Sequence, residues 1–215
     1  MKVALYTAIT ASKDSLKEQP IHEGVDRIFF TDRPDDYVGT SWTVHPACTI
    51  FTDPRRNSRA PKILAHQYLP EYDYSLWIDG SISLHASPID LIETYLTDAD
   101  IAMFRHPTRC CLYVEAEGCA DAGFDRRETF AAQVTRYRQN GYPPDNGLNE
   151  CAVILRRHNE QIARFNDAWW SEYCRYSCRD QISLPYVAHR LGIWIAQLQG
   201  TAADSPILVY HQGHP

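Results

Sequence analysis

The sequence predicts an α/β protein: a mostly parallel central sheet with helices on both faces. Three observations carry this. Short β-prone apolar runs recur at 2–9, 27–31, 76–78, 101–104, 151–155 and 206–210, with helical stretches between most of them, the alternation typical of parallel sheets. The run Leu76-Trp77-Ile78 is apolar without alternation, as in a strand covered on both faces. That run ends in a carboxylate, Asp79, followed by Gly80 and Ser81. In open α/β sheets ligands bind at the C-terminal ends of the strands.

The bulk numbers fit one domain over 1–215 with an ordinary core: 44% of residues are apolar and 22% charged. A formal net charge of −6 argues against general nucleic-acid binding, which needs a basic face. No apolar stretch approaches the ~20 residues of a membrane helix. The N-terminus runs straight into a strand-like segment, so no signal peptide is expected. The seven cysteines are odd in number and irregularly spaced, without a C-x-x-C pair. Reduced thiols, a cytoplasmic location and no structural zinc are the expectation.

The elements follow in order. Residues 2–9 form the first strand and 27–31 the second, which closes in the turn signal Asp32-Arg33-Pro34-Asp35-Asp36. Residues 42–44 form a short third strand. A helix is expected over 58–68, with Pro61 in its first turn. Ala60, Leu64 and Tyr68 then face the core, while Arg59, Lys62 and His66 share another face. That face is either solvated or a cationic stripe that meets phosphate oxygens. After the central strand, Ser87 caps a helix that opens with Pro88 and carries Asp90. Residues 101–104 are a strand. Asp125 to Glu128 resembles a capping box for a helix striped by Phe130, Val134 and Tyr137. Residues 140–147 are loop and 151–155 a buried strand. Asn159 caps the next helix, with Ile162, Phe165, Trp169 and Tyr173 inward. The adjacent Trp169 and Trp170 read as core packing. Residues 179–191 are at least partly helical, with Pro185 limiting the first turns, and 206–210 are a last strand.

An enzyme that uses a nucleotide sugar must stabilise a departing diphosphate, and a divalent cation does this as a Lewis acid. Such a cation takes hard oxygen ligands, sometimes with one imidazole. Asp79 supplies an oxygen, Ser81 lies two residues on, and His211 and His214 follow the last strand. The bland readings are a turn aspartate for Asp79 and an exposed tail for the histidines. Glu150 and Asp180 are the remaining acids, as general bases or as salt-bridge and cap residues. Arg105, His106 and Arg109 are candidates for an anionic ligand.

Trp77-Ile78-Asp79-Gly80-Ser81 resembles the D-x-D element of GT-A glycosyltransferases, with Ser81 where the second Asp stands. The chain from about 29 to 191 resembles the plant mucilage-related glycosyltransferase-like family, once a domain of unknown function. The matching residues are Arg59 with Lys62 and His66, 73–81, Arg109 to Tyr113 with Glu115, and 147–150. Arg156 to Asn159, Trp169-Trp170 and 179–183 continue the match. The resemblance implies a GT-A fold, a nucleotide-diphosphate sugar donor, Mn or Mg, and a glycan, lipid or protein acceptor. Under it Thr7, Ala8, Arg59, Lys62, His66, Asp79, Gly80 and Ser81 bind the donor. Arg109, Asn149, Arg179 and Gln181 meet the acceptor, and Asp180 and Glu150 are catalytic. Tyr210-His211-Gln212-Gly213 is similar to the His-x-x-Gly metal element of glycogenin-like enzymes. It is one residue short, so His214 stands as an alternative ligand beside His211, Asp79 and Ser81. The expected function is glycosyl transfer. The alternatives are a binding module of the same fold without catalysis and a metal-dependent phosphohydrolase.

Overall fold

The computed structural model describes residues 1–47 and 49–211. In chain order its elements begin with β1 (Val3–Ile9), β2 (Val25–Thr31), a 3-10 turn (Pro34–Tyr37) and β3 (Thr43–Pro46). Helices α1 (Pro54–Ile63) and α2 (Ala65–Tyr68), strands β4 (Tyr74–Ile78) and β5 (Ile82–Leu84) and helix α3 (Pro88–Tyr95) follow. Next come β6 (Ile101–Arg105), α4 (Leu112–Asp121), α5 (Arg127–Gln139), β7 (Asn149–Arg157), α6 (Glu160–Arg175), α7 (Asp180–Leu191), β8 (Ala196–Gln197) and β9 (Leu208–Tyr210).

Seven strands form the main sheet in the order β3-β2-β1-β4-β7-β6-β8. The pairings make β7 the strand that runs against the other six. The mostly parallel sheet expected from the sequence is therefore present. The C-terminal ends of β4, β6 and β8 share one sheet edge with the N-terminal end of β7. That edge carries Asp79, Arg105, Gln197, Asn149 and Glu150. Between Met103 and Phe104 the β6–β7 register jumps from Ile154 to Glu150, a bulge that bends β7 at this edge.

Side chains of one strand alternate between two cores. Ala4, Tyr6, Ala8 and Trp77 pack on the face covered by α1, α2 and α4 to α7, and Val3, Leu5, Ile9, Leu76 and Ile78 on the face of α3, β5 and β9. Helices thus lie on both faces, unequally shared. Ile162, Phe165, Trp169 and Tyr173 of α6 are all fully buried, as the 3.6-residue period requires. Among the described residues no helix is long and apolar enough to cross a membrane, and the described cysteines are free thiols.

Several local expectations need correction. The helix expected over 58–68 is two helices. The first starts earlier, at Pro54, where Asp53 Oδ1 accepts from the Arg55 N–H at 3.0 Å. Pro61 is eighth of its ten residues. Lacking an N–H it cannot bond the carbonyl four residues back, and the helix ends two residues later. Asp125 does not box α5: its carboxylate accepts from the Cys178 N–H at 2.9 Å, and no side chain caps α5. Pro185 lies sixth in α7. The last strand pairs with β5 in a separate two-stranded sheet. Helix α4 and strands β5 and β8 had no sequence expectation.

The end of α1 is held by Arg156, whose side chain is fully buried. Its guanidinium donates to the carbonyls of Lys62 (2.5 Å) and Ile63 (3.1 Å), to Asn166 Oδ1 (3.1 Å) and to the Tyr6 hydroxyl (2.8 Å). A cation there satisfies orphan carbonyls and complements the helix dipole. Lys62 is thereby fixed at the rim of the central strand.

Candidate active site

A cleft of about 380 Å³ opens at the strand edge. Its charged walls are Arg59 and Lys62 from α1, Asp79 after β4, Glu150 from β7, and Arg179 and Asp180 at the start of α7. Cys151, Ala202 and Tyr210 complete much of the lining. The two halves of the chain therefore meet here.

Lys62 is the centre of the arrangement, although only 1% of its side chain is exposed. Its ammonium lies 3.2 Å from Asp79 Oδ1 and 2.8 Å from Asp180 Oδ2, and over the Trp77 ring at 5.4 Å. The Trp77 indole N–H donates to the same Asp79 oxygen at 2.8 Å. Trp77 and Asp79 are two residues apart on an extended chain and point the same way. Arg59 Nε lies 3.2 Å from Asp180 Oδ2. Burial would push the Asp180 carboxyl up, but Lys62, Arg59 and Arg179 hold it well below the usual carboxylate range. Asp180 is thus a fixed anion at the positive end of α7, and its ion pairs raise the Arg59 guanidinium against burial. Burial pushes the Cys151 thiol well up, so it stays neutral.

Arg179 reaches the cleft from the other side. It donates to Gln181 Oε1 at 2.6 Å and lies 3.6 Å from Glu115 Oε1. Glu115, itself buried, also pairs with Arg109 and faces His106 Nε2 at 3.6 Å. Its carboxyl is held below the usual range, against burial, by bonds from Arg109 and Cys119. Glu150 bonds the Ala202 N–H through Oε2 at 2.8 Å and leaves Oε1 without a hydrogen-bond partner among the described residues.

Of the candidates named from the sequence, Arg59, Lys62, Asp79, Glu150, Arg179, Asp180 and Gln181 line this cleft. The others take different places. His66 turns to α6, with Nε2 3.3 Å from Asp167. Arg109 is spent on Glu115. Thr7 and Ala8 are buried at the end of β1. Gly80 lies against the last residue of β1 and the loop after it, where a Cβ would come 3.0 Å from Ile9 and Asp14. Ser81 is buried and its carbonyl accepts from the His211 N–H at 2.8 Å. The His211 ring meets the Ser83 hydroxyl at 2.9 Å through Nε2. His214 lies outside the described residues.

The expected ligands Asp79, Ser81 and His211 are not gathered on one point, and His214 lies outside the described residues. No three carboxylates, imidazoles or thiols converge on one point among the described residues. Oδ1 of Asp79 already serves an indole and an ammonium. Glu115 and Arg156 are the residues whose part only the fold reveals. Each stood in a matching motif, but nothing local showed that one would steady Arg179 and the other the end of α1.

A family model described as "TOD1/MUCI70, glycosyltransferase-like domain" matches residues 25–200. The chain belongs to this family. It is 34% identical over 151 residues to "Probable hexosyltransferase MUCI70" of Arabidopsis thaliana, which covers 66% of this chain and 26% of that protein. It is 26% identical over 176 residues to "Alkaline ceramidase TOD1" of the same plant, covering 74% and 38%. The chain thus spans well under half the length of either relative. Among solved structures, the apo form of the bifunctional glycosyltransferase WbbM superposes with a TM-score of 0.58 at 12% identity, over 99% of this chain and 46% of that one. Apo mouse xyloside xylosyltransferase 1 superposes at 0.51 and 11% identity, over 92% and 84%. The TOD1/MUCI70 domain here therefore has the fold of GT-A glycosyltransferases.

Proposed function

We propose that this TOD1/MUCI70 domain transfers a sugar from a nucleotide-diphosphate donor to an acceptor hydroxyl in the cleft beneath α7. The observation that carries this is the buried Lys62 ammonium, held between Asp79 and Asp180 with Arg59 and Arg179 beside it. As the bond from the anomeric carbon to the diphosphate breaks, negative charge builds on the leaving oxygens. A preorganised ammonium and two guanidinia in a partly dry site stabilise that charge without reorganising. The acceptor oxygen bonds the anomeric carbon and its proton passes to Glu150, whose Oε1 is free while the Ala202 N–H fixes Oε2. Asp180, held far below the usual carboxylate range, keeps the cations in place and takes no proton near neutral pH. The charged lining suits a diphosphate better than the long-chain amide that the second relative's name implies.

A panel of UDP- and GDP-sugars, scored for nucleoside-diphosphate release, tests the reading. Asp79→Ala is expected to keep the fold, since Asp79 is at the cleft surface, and to abolish release. Full turnover in that variant overturns the assignment. The second reading is a binding module without turnover, favoured by Ser81 in the second position of the D-x-D element. Saturable binding of UDP or GDP by calorimetry, with no release from any donor, selects it.

A further inference from the structure

A second hollow, of about 540 Å³, opens at the same strand edge. Its size falls within the roughly 300–1,000 Å³ of ligand pockets. It is lined by Arg105 at the end of β6, Asn149 at the start of β7, Gln197 at the end of β8, His189 from α7 and Trp194 from the loop after it. The two hollows share a wall. Gln181, which lines the cleft, donates to the Asn149 carbonyl at 3.4 Å, and Asn149 Nδ2 donates to Gln197 Oε1 at 3.4 Å. Helix α7 joins them as well: its first residue, Asp180, is at the cleft and His189 is at the second hollow.

Trp194 is the exposed aromatic of this hollow and also borders two smaller ones. Trp42, Trp77 and Trp169 are buried, whereas Trp194 is 63% exposed. It stands just beyond Gly192, whose φ of 64° ends α7 in a left-handed turn. Neither the Trp194 indole nor the Arg105 guanidinium makes a hydrogen bond, ion pair or ring contact within the described residues. An open indole face, with planar amide and guanidinium groups across the hollow, matches a pyranose ring. The C–H face of the ring packs on the aromatic surface, and vicinal hydroxyls pair with the Arg105 guanidinium and the second Gln197 N–H, while Asn149, whose Nδ2 also donates to the Phe104 carbonyl at 3.2 Å, holds Gln197 in place.

The geometry points to this hollow as the seat of an acceptor sugar ring, stacked on Trp194, which makes the acceptor a glycan rather than a lipid or protein. This rests on the transfer reading for the word acceptor, but the sugar site stands on its own contacts.

The test uses the full chain carrying 5-fluorotryptophan, followed by fluorine NMR, with the Trp194 resonance assigned from Trp194→Phe. Probes are a panel of defined neutral and acidic oligosaccharides, added without donor. UDP and GDP titrations are read separately as the report on the neighbouring cleft. The expected result is a saturable shift of the Trp194 resonance by at least one oligosaccharide. Binding is expected to weaken about tenfold or more in Trp194→Ala and in Asn149→Ala. Trp194 is exposed, so an unchanged melting curve is expected for its variant. Saccharide binding that leaves the Trp194 resonance unmoved, or that survives Trp194→Ala, overturns the inference, as does a panel in which nothing binds. Loss of nucleotide binding with an intact saccharide response sinks the donor reading and spares this one.

Discussion

At the scale of single residues, the cleft is ruled by where its charges are fixed. Lys62 is buried and shared by two carboxylates, and in the proposed transfer it supplies a positive charge beside the departing diphosphate. Retained turnover in EDTA, with no more than a few-fold gain on adding Mn or Mg, is the expected outcome of a metal titration. Strict dependence on Mn would restore the cation, with donor oxygens completing its shell. Lys62→Met is expected to cut turnover by about a hundredfold or more. Glu115 acts on the site through Arg179. Replacing it with Gln removes the charge that Arg179, Arg109 and His106 share, and KM for the donor is expected to rise while the melting curve shifts little. An unchanged KM would leave Glu115 a purely structural acid. The acids Asp79, Glu150 and Asp180 stood out in the sequence because carboxylates at strand ends and helix starts are legible there. Their division of labour was not, because it depends on which cations lie within about 3 Å of each.

At the scale of elements, α1 shows how position is made. A helix that contains Pro61 and ends at Ile63 leaves carbonyls in a buried place, and Arg156 of β7 supplies the donors. Arg156→Met keeps the volume and removes the donors. The Lys62 carbonyl keeps the Tyr6 hydroxyl as a donor at 3.2 Å, but the Ile63 carbonyl and Asn166 Oδ1 lose theirs. Each orphaned buried acceptor costs about 1–3 kcal/mol, so urea unfolding is expected to show a loss of about 2 kcal/mol or more. A loss below about 1 kcal/mol would mean that water replaces the guanidinium. The turn after β4 is equally constrained. A methyl at Gly80 would meet Ile9 and Asp14 at 3.0 Å, so Gly80→Ala is expected to displace Asp79 and lower turnover more than stability. Elements with a strong period, such as α6, were readable from the sequence. The start of α1 was hidden because the first turn after the Asp53 cap, Pro54 to Asn57, carries no apolar stripe, and α4 because its amphipathic pattern is weak.

At the scale of the whole molecule, a buried histidine contributes to acid sensitivity. His158 follows the last residue of β7, and its Nε2 meets Ser75 Oγ at 2.8 Å. Burial, then the positive charges of Arg156 and His66, lower its pKa to about 4. The unfolded chain therefore binds a proton that the folded chain refuses between about pH 6.5 and 4. Stability from this group is complete above the unfolded value and declines as pH falls through that window. The unfolding midpoint is expected to drop from pH 7 to pH 5, with a smaller drop in His158→Gln. An equal drop in that variant would place the acid sensitivity elsewhere. The sequence by itself determined the alternation of strands and helices, the buried central strand and the carboxylate that ends it, because periodicity and strand-end chemistry are local. Only the tertiary structure decided that Lys62 lies buried between Asp79 and Asp180, that Arg156 braces α1, and that Trp194 and Asn149 line one hollow. Each of those arrangements joins residues far apart in the chain, and no local pattern encodes which distant partner will satisfy a buried charge or leave a ring uncovered.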